Sequence, residues 1–577
     1  MKKILKYLSK KDYIFIVISV ALIVTQVWLD LKMPDYMNDI VTVLQTSGEV
    51  KEILKSGGMM LLCSFGSLAL SVVVGFLIAQ VAAGMGMKLR EALYCQVNSF
   101  SKQEIHKFST ASLITRCTND TSQVQMLIAM GLQIMVKAPV MAVWAVIKIL
   151  GKSWQWSVAT AVAVTVLVIV VTTVILLCMP KFKKIQKQTD NLNRVTRENL
   201  TGMRIVHAFN AEDYQEKKFD NVNEELTNTQ MFTSKALSIF SPLMSLLIGT
   251  LSLSIYWIGA VIINKAGFMD KIALFSDMMV FFTYAMQIIS SFIMMIMIFM
   301  LLPRTIVSGR RIVEVLSTEP SIKDGKGAEP EEEGSIEFKE VNFKYIDGNE
   351  NVLKDINLKI NKGETVAFIG ATGCGKSTLI DLIPRFYDVT SGEVLVDGVN
   401  VKEYKLDQLH EKIGYVSQKA ILLSGTVYDN VTMGHDIEPK DVLNAIKQAQ
   451  AEEFVENMDE KENSQIYQGG KNISGGQKQR LSIARAIAQK PEFIIFDDSF
   501  SALDYKTDKK LRKAIEKELK GVTCIIVAQR IGTIKSADKI VVLEDGKIVG
   551  MGDHEDLMKD CKVYQEIALS QLNKEEL

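Results

Sequence analysis

The chain runs to 577 residues, with Lys+Arg and Asp+Glu equal at 66 each and a formal net charge of zero. That balance argues against a nucleic-acid partner, which asks for a basic surface. Hydrophobic residues make up 48% of the chain and mean hydropathy is +0.16; this excludes a single soluble domain, and length alone suggests roughly three or four units.

Residues Met1 to Lys11 are basic and amphipathic, setting Ile4, Leu5 and Leu8 against Lys2, Lys3, Lys6, Lys10 and Lys11. No small-residue cleavage pattern follows the next apolar run, so the stretch reads as an uncleaved anchor in the membrane interface rather than a signal peptide. Apolar runs then recur at Tyr13–Leu29, Gly57–Met87, Thr121–Ile147, Ser153–Pro180, Ala236–Asn264 and Met278–Pro303. Each is near or above the ~20 residues that cross a bilayer as a helix. The basic start puts both chain ends in the cytoplasm, and the spans make the lipid bilayer a partner.

The connections are uneven. Those on the outer side are short: Lys32–Lys55, Gly151-Lys152 and Lys265–Asp277. Two inner ones, Lys88–Asp120 and Lys181–Lys235, are long, polar and helical in pattern. Within them Ser112–Asp120 and Glu198–Phe209 are expected to be mechanical contacts for a cytoplasmic domain. Lys137 interrupts the third run; such a residue either faces a cavity or partner or snorkels toward the headgroups. The last run is rich in methionine (Met278, Met279, Met286, Met294, Met295, Met297, Met300) and aromatics (Phe281, Phe282, Tyr284, Phe292, Phe299). Those side chains suit a surface that accepts many apolar shapes, and lipid contact accounts for most of them equally well.

Seven cysteines (Cys63, Cys95, Cys117, Cys178, Cys374, Cys524 and Cys561) are scattered without a C-x-x-C pair. This pattern fits a reducing compartment, with neither a disulfide frame nor a zinc site. From Ser317 the composition turns polar and acidic, through Asp324-Gly325-Lys326-Gly327 and Glu329-Pro330-Glu331-Glu332-Glu333-Gly334. Three regions result: a six-span transmembrane domain over residues 1–316, a linker over 317–334 and an α/β domain over 335–577.

In the last region an apolar strand, Thr365–Ile369, runs into G-x-x-x-x-G-K-S and then a helix, which is a P-loop in its required context. The turn from Gly370 through Thr372, Gly373, Cys374, Gly375, Lys376 and Ser377 to Thr378 is expected to cradle the phosphates of ATP. The glycines let backbone N–H groups converge on anionic oxygens, Lys376 reaches the β/γ-phosphates, and Ser377 holds Mg²⁺. A thiol at this helix start beside Lys376 is also expected to be reactive toward small reagents. Downstream, Gln418 ends a strand where its amide meets Mg²⁺ or a water. Ser474-Gly475-Gly476-Gln477 opens a helix. The strand Phe493–Phe496 ends in Asp497, a Mg²⁺ ligand through water, and Asp498; Ser501-Ala502-Leu503-Asp504 follows. Another strand ends at Gln529. Tyr345 is placed to stack on adenine, a core or surface tyrosine being the alternative.

With S-G-G-Q ahead of a Walker B strand and S-A-L-D, the whole chain resembles one subunit of an ABC exporter. It is expected to be an all-α six-helix transmembrane domain fused to an α/β P-loop (RecA-like) nucleotide-binding domain. The resemblance implies ATP hydrolysis coupled to export across the cytoplasmic membrane. It also implies two ATPs sandwiched head to tail between two subunits, and coupling helices in the polar arms. Two positions depart from the family pattern: Asp498 replaces the catalytic Glu, and Gln529 replaces the switch His. The shorter carboxylate sits about 1.5 Å back, one C–C bond, and Gln529 brings neither a charge nor a proton. A slow, degenerate ATP site is expected, in a heterodimer whose second half-subunit carries Glu and His and borrows the intact Ser474–Gln477 signature. The cargo is expected to be a small amphipathic molecule, of multidrug or lipid-like type. The alternatives are a nucleotide-binding regulatory subunit, or an exporter of lipid, peptide or heme-type cargo.

Overall fold

Inside hydrocarbon no water can satisfy backbone amides, so a long apolar run must close its own hydrogen bonds as a helix. The computed structural model, which describes residues 2–46, 48, 50–150, 152–330, 332–346, 348–501 and 505–571, bears this out. Met1, Gly151, Glu331, Ala502, Leu503 and Asp504 lie outside the described residues, as do the side chains of Phe299 and Met300. The chain forms two compact units, fewer than length suggests: residues 1–98 with 111–318, and residues 99–110 with 319–577.

Among the described residues, six helices of the first unit are long and apolar enough to cross a membrane. They are α1 (Lys10–Thr46), α2 (Val50–Asn98), α4 (Thr110–Leu150), α5 (Trp154–Thr201), α7 (Glu212–Lys265) and α8 (Phe268–Leu316). Two short helices lie between them in sequence, α3 (Lys102–Phe108), which belongs to the second unit, and α6 (Met203–Ala208). At ~1.5 Å per residue these spans exceed the ~30 Å of hydrocarbon by a wide margin. The connections expected on the outer side are shorter than the polar stretches suggest. α1 continues to Thr46 before α2 starts at Val50, and α7 ends at Lys265 just ahead of Phe268. Charged side chains there pair across the connections: Lys148 Nζ on α4 meets Asp35 Oδ2 on α1 at 2.6 Å, and Lys152, between α4 and α5, meets Asp277 on α8. The N-terminal stretch is not one amphipathic helix. It makes a single turn, Lys2–Leu5, with Ile4 fully buried.

The last span is neither all lipid-facing nor all cavity. Phe281, Tyr284 and Met278 sit in the bundle core beside Trp156, while Met294 and Met297 are exposed. Lys137 does not snorkel: its Nζ lies 3.2 Å from Asp30 Oδ2 on α1. α4 carries two π-helical turns, Arg116–Asp120 and Leu127–Gly131. The first is clamped to α8 by Arg116 with Glu314 at 2.7 Å and Arg311 with Asp120 at 3.2 Å. Ser112–Asp120 therefore packs within the membrane unit, and the expected contact with the cytoplasmic domain is corrected to Ser99–Thr110. A capping box explains the shift, since it starts a separate helix at Ser101: Glu104 Oε2 accepts from Ser101 N at 2.9 Å, and Ser101 Oγ accepts from Gln103 N at 3.2 Å.

The second unit holds two main sheets. An antiparallel one is built from β1 (Ile336–Phe343), β2 (Leu353–Ile360), β4 (Ser391–Val396) and β5 (Val399–Asn400), in the order β2-β1-β4-β5. The other contains β3 (Thr365–Gly370), β6 (Ile413–Val416), β7 (Phe493–Asp497), β8 (Thr523–Val527), β9 (Lys539–Glu544) and β10 (Lys547–Gly552). Its order is β10-β9-β3-β8-β7-β6, parallel except at the β10 edge. Strands buried on both faces read as unbroken apolar runs, here over residues 493–496 and 524–527.

Candidate functional site

Parallel strands deliver their carboxyl ends to one edge of the sheet, where an open α/β fold leaves a crevice. β3, β6, β7 and β8 end there together. The turn after β3 starts α9 (Lys376–Asp381), and two glycines make it possible. At Gly370 a Cβ would collide with the Leu543 carbonyl, and Gly375 has φ +101° with Leu353 Cδ2 only 2.8 Å from where a Cβ would stand.

The crevice is a cleft of about 410 Å³ lined by Tyr345, Thr372, Gly373, Gly375, Lys376, Ser377, Thr378, Gln418, Asp497, Asp498 and Gln529, with Val352 and Val527. Most of the residues singled out in the sequence thus converge. Lys376 Nζ donates to the carbonyls of Gly370 and Ala371 at 2.9 and 2.8 Å. Ser377 Oγ donates to Asp497 Oδ1 at 2.9 Å. Burial pushes the Asp497 carboxyl above the usual range, and the nearby Asp381 and Asp498 add to this against the Ser377 hydrogen bond. Asp498 adopts φ +45°, and its Oδ2 accepts from Gln529 Nε2 at 2.8 Å and Gln418 Nε2 at 3.3 Å. Tyr345 stands at the cleft edge, its hydroxyl 2.9 Å from Thr378 Oγ1 and its ring edge-on to Phe343 and Tyr387.

Gly370 and Cys374 do not line the cleft. Cys374 is 7% exposed, its Sγ 3.6 Å from Lys376 Nζ, which leaves a thiol reagent little access. Ser474, Gly475, Gly476 and Gln477 also lie outside the cleft lining, at the start of α10 (Gly475–Ala488). They form a second capping box: Gln477 N donates to Ser474 Oγ at 3.3 Å, and Ser474 N donates to Gln477 Oε1 at 2.8 Å. Ser474 and Gly475 are exposed, so this helix N-terminus is open to an anion.

Sequence reading missed the side chains that tie α3 to the P-loop helix. Lys102 Nζ donates to both Asp381 carboxylate oxygens at 2.8 and 2.9 Å and lies 4.4 Å from the Phe386 ring centroid. Tyr415, in β6, donates to the same Asp381 at 3.1 Å. Burial opposes ionisation of Glu104, but hydrogen bonds from Ser101 and Ser321 outweigh it and hold its carboxyl below the usual range. The signal available was Ser101-x-x-Glu104, a capping box in plain sequence.

Known proteins divide along the same lines. The ABC transporter family model matches residues 353–501, and the ABC transporter transmembrane region matches residues 15–292. An ABC transporter ATP-binding protein of Mycobacterium tuberculosis is 34% identical, over 94% of this chain and 93% of its own. A putative multidrug export ATP-binding/permease protein of Staphylococcus aureus is 44% identical over 44% of this chain and 45% of its own. The solved structure of a bacterial Atm1-family ABC exporter with ATP bound superposes with a TM-score of 0.81. It shares 20% identity and covers 98% of this chain and 99% of that one, a likeness of fold.

Proposed function

This chain belongs to the ABC transporter family, as an exporter half-transporter with its membrane region and its ATPase domain in one polypeptide, and from that premise we propose that it exports amphipathic or apolar molecules across the cytoplasmic membrane as the slow-site subunit of a heterodimer. A half-transporter dimerises to function, and the partner in this reading carries Glu and His where this chain has Asp498 and Gln529. The relative from Staphylococcus aureus, described as a multidrug exporter, favours small amphipathic cargo. The basic N-terminus favours cytoplasmic ends and a cytoplasmic ATP site. The functional domains in this reading are residues 1–316 and 335–577, joined by 317–334.

The observation that carries the reading is the state of Asp498. Its carboxylate is one methylene short of the family's Glu, and its Oδ2 is shared by the Gln418 and Gln529 amides. A carboxylate so occupied is a poor general base, and a misplacement of ~1 Å costs up to ~10²-fold in rate. ATP binds through the Gly370–Thr378 turn, with Lys376 on its β/γ-phosphates and Tyr345 against adenine. Ser377, Asp497 and Gln418 supply the hard oxygen donors that suit Mg²⁺. When bound, the ion withdraws charge from the phosphates. The exposed Ser474–Gln477 helix start serves the γ-phosphate of the ATP held by the partner. Closure of the two ATPase domains favours one orientation of the spans because ATP binds the closed pair better than the open one.

Changing Asp498→Glu and Gln529→His together tests this. Hydrolysis at this site, read with trapped nucleotide in the co-purified pair, is expected to rise; an unaltered rate rejects the slow-site reading. If the pair binds ATP but neither hydrolyses it nor moves any amphipath, the regulatory-subunit reading replaces export. Transport of a lipid, peptide or heme-type compound alone would revise the cargo.

A further inference from the structure

One face of α1 carries a buried polar stripe that none of the ATP chemistry uses. Ser19, Gln26 and Asp30 are spaced seven and four residues apart, which sets them one above the other on a helix. Ser19 is fully buried and Gln26 is 4% exposed. Among the described residues, Ser19 Oγ and Gln26 Oε1 find no hydrogen-bond partner, nor does Oε1 of Gln287 on α8. Asp30 is the centre of the group: Ser67 Oγ donates to its Oδ1 at 2.6 Å, Lys137 Nζ lies 3.2 Å from its Oδ2, and Gln287 Nε2 reaches its backbone carbonyl at 3.5 Å. The Asp30 and Lys137 side chains retain 14% and 19% of their exposure, so the pair is not sealed.

Partnerless polar groups within a membrane domain are costly, and charges there mark the path of what the protein moves. The two amide oxygens, of Gln26 and Gln287, are buried acceptors that ask for N–H donors; Gln26 shares the α1 face of Asp30, and the Gln287 amide reaches the Asp30 backbone carbonyl. Lys137 provides a complementary positive charge beside Asp30. A ligand of net charge would leave an unpaired charge in a low dielectric, whereas one with a cationic and an anionic end leaves none. We infer that Asp30, Lys137, Gln26 and Gln287 form a headgroup seat for a zwitterionic amphipath whose cationic end is an N–H-bearing ammonium. The ammonium lies against Asp30 and the two amide oxygens, and the anionic group lies against Lys137. The inference rests on the export reading and narrows its cargo class. A trimethylammonium headgroup, equally charged but without N–H donors, fits this seat poorly.

The test is equilibrium binding to the full chain, purified in detergent with whatever subunit accompanies it. The probes are dioctanoyl phosphatidylethanolamine, dioctanoyl phosphatidylcholine and a single-chain N-alkyl amino-acid amphiphile. The ethanolamine lipid, the amino-acid amphiphile or both are expected to bind about tenfold more tightly than the choline lipid, the scale of a lost hydrogen bond to a charged group. Which of the two binds separates a lipid source from a soluble one. Asp30→Asn and Lys137→Met are each expected to erase the preference. Should either fail to fold, the Gln26→Leu, Gln287→Leu double variant is expected to do the same. Equal binding of ethanolamine and choline headgroups, or a preference that survives the double variant, overturns the seat. ATP-driven movement in vesicles separates the two claims: movement without headgroup preference rejects the seat alone, and headgroup-selective binding without movement rejects export while keeping the seat.

Discussion

The two elements that meet nucleotide in the proposed function differ in kind. The P-loop cleft gathers residues from four strand ends, and its carboxylate Asp498 is held by two amides. The start of α10 is a local device, complete in itself: Ser474 and Gln477 cap each other and leave the helix N-terminus open. In the proposed function one element departs from the expected family pattern, through Asp498 and Gln529, and the other keeps it. In the proposed heterodimer, this chain would lose speed at its own site and still complete its partner's.

The sharpest way to break that contrast is to spoil the intact element. Gly475→Asp puts a negative charge at the helix start, and hydrolysis by the co-purified pair should fall by about 10²–10³-fold, the scale of losing a charge-stabilising donor. ATP binding at this chain's own P-loop, read by photolabelling, should persist. Next in size, Asp498→Glu with Gln529→His should raise turnover at the P-loop site by up to about 10²-fold in a single-site trapping assay. Lys376→Ala should weaken nucleotide binding there by about 10–100-fold in the same photolabelling, because it removes a charge-assisted contact.

Two smaller effects sharpen the picture. Lys102→Ala removes the ion pair with Asp381 from a half-exposed position. Its effect on thermal stability should stay under about 1 kcal/mol, while stimulation of ATPase by cargo should drop and the basal rate should not. Finally, burial holds the Asp497 carboxyl above the usual range. Protons then compete with Mg²⁺ earlier on acidification than at an ordinary aspartate, so Mg·ATP affinity should decline as pH falls, with a midpoint above the ~3.9 of a free aspartate. A titration flat down to the ordinary range would count against the buried-carboxylate account.

Much of the fold was legible because its signals are local. Six apolar runs announce helices by length, and the P-loop announces itself by a strand, a glycine turn and a helix within a short stretch of sequence. Reading faltered where contacts join distant segments. Of the two segments expected to meet the ATPase unit, Ser112–Asp120 and Glu198–Phe209, the first is clamped to α8 by Arg116–Glu314 and Arg311–Asp120. The contact falls instead on the capped turn at Ser101. Lys102 and Asp381, which seal it, are 279 residues apart.

Sequence by itself determined the two kinds of unit, the order of the spans and the identity of the phosphate-binding turn, because apolar run length and glycine spacing act through the nearest few residues. Tertiary structure decided who faces whom. It gave Lys137 the carboxylate of Asp30, turned Gln418 and Gln529 onto one oxygen of Asp498, and buried Cys374 behind the cleft. Such pairings are set by how helices and strands pack across hundreds of residues, where the spacing of residue types along the chain no longer constrains distance.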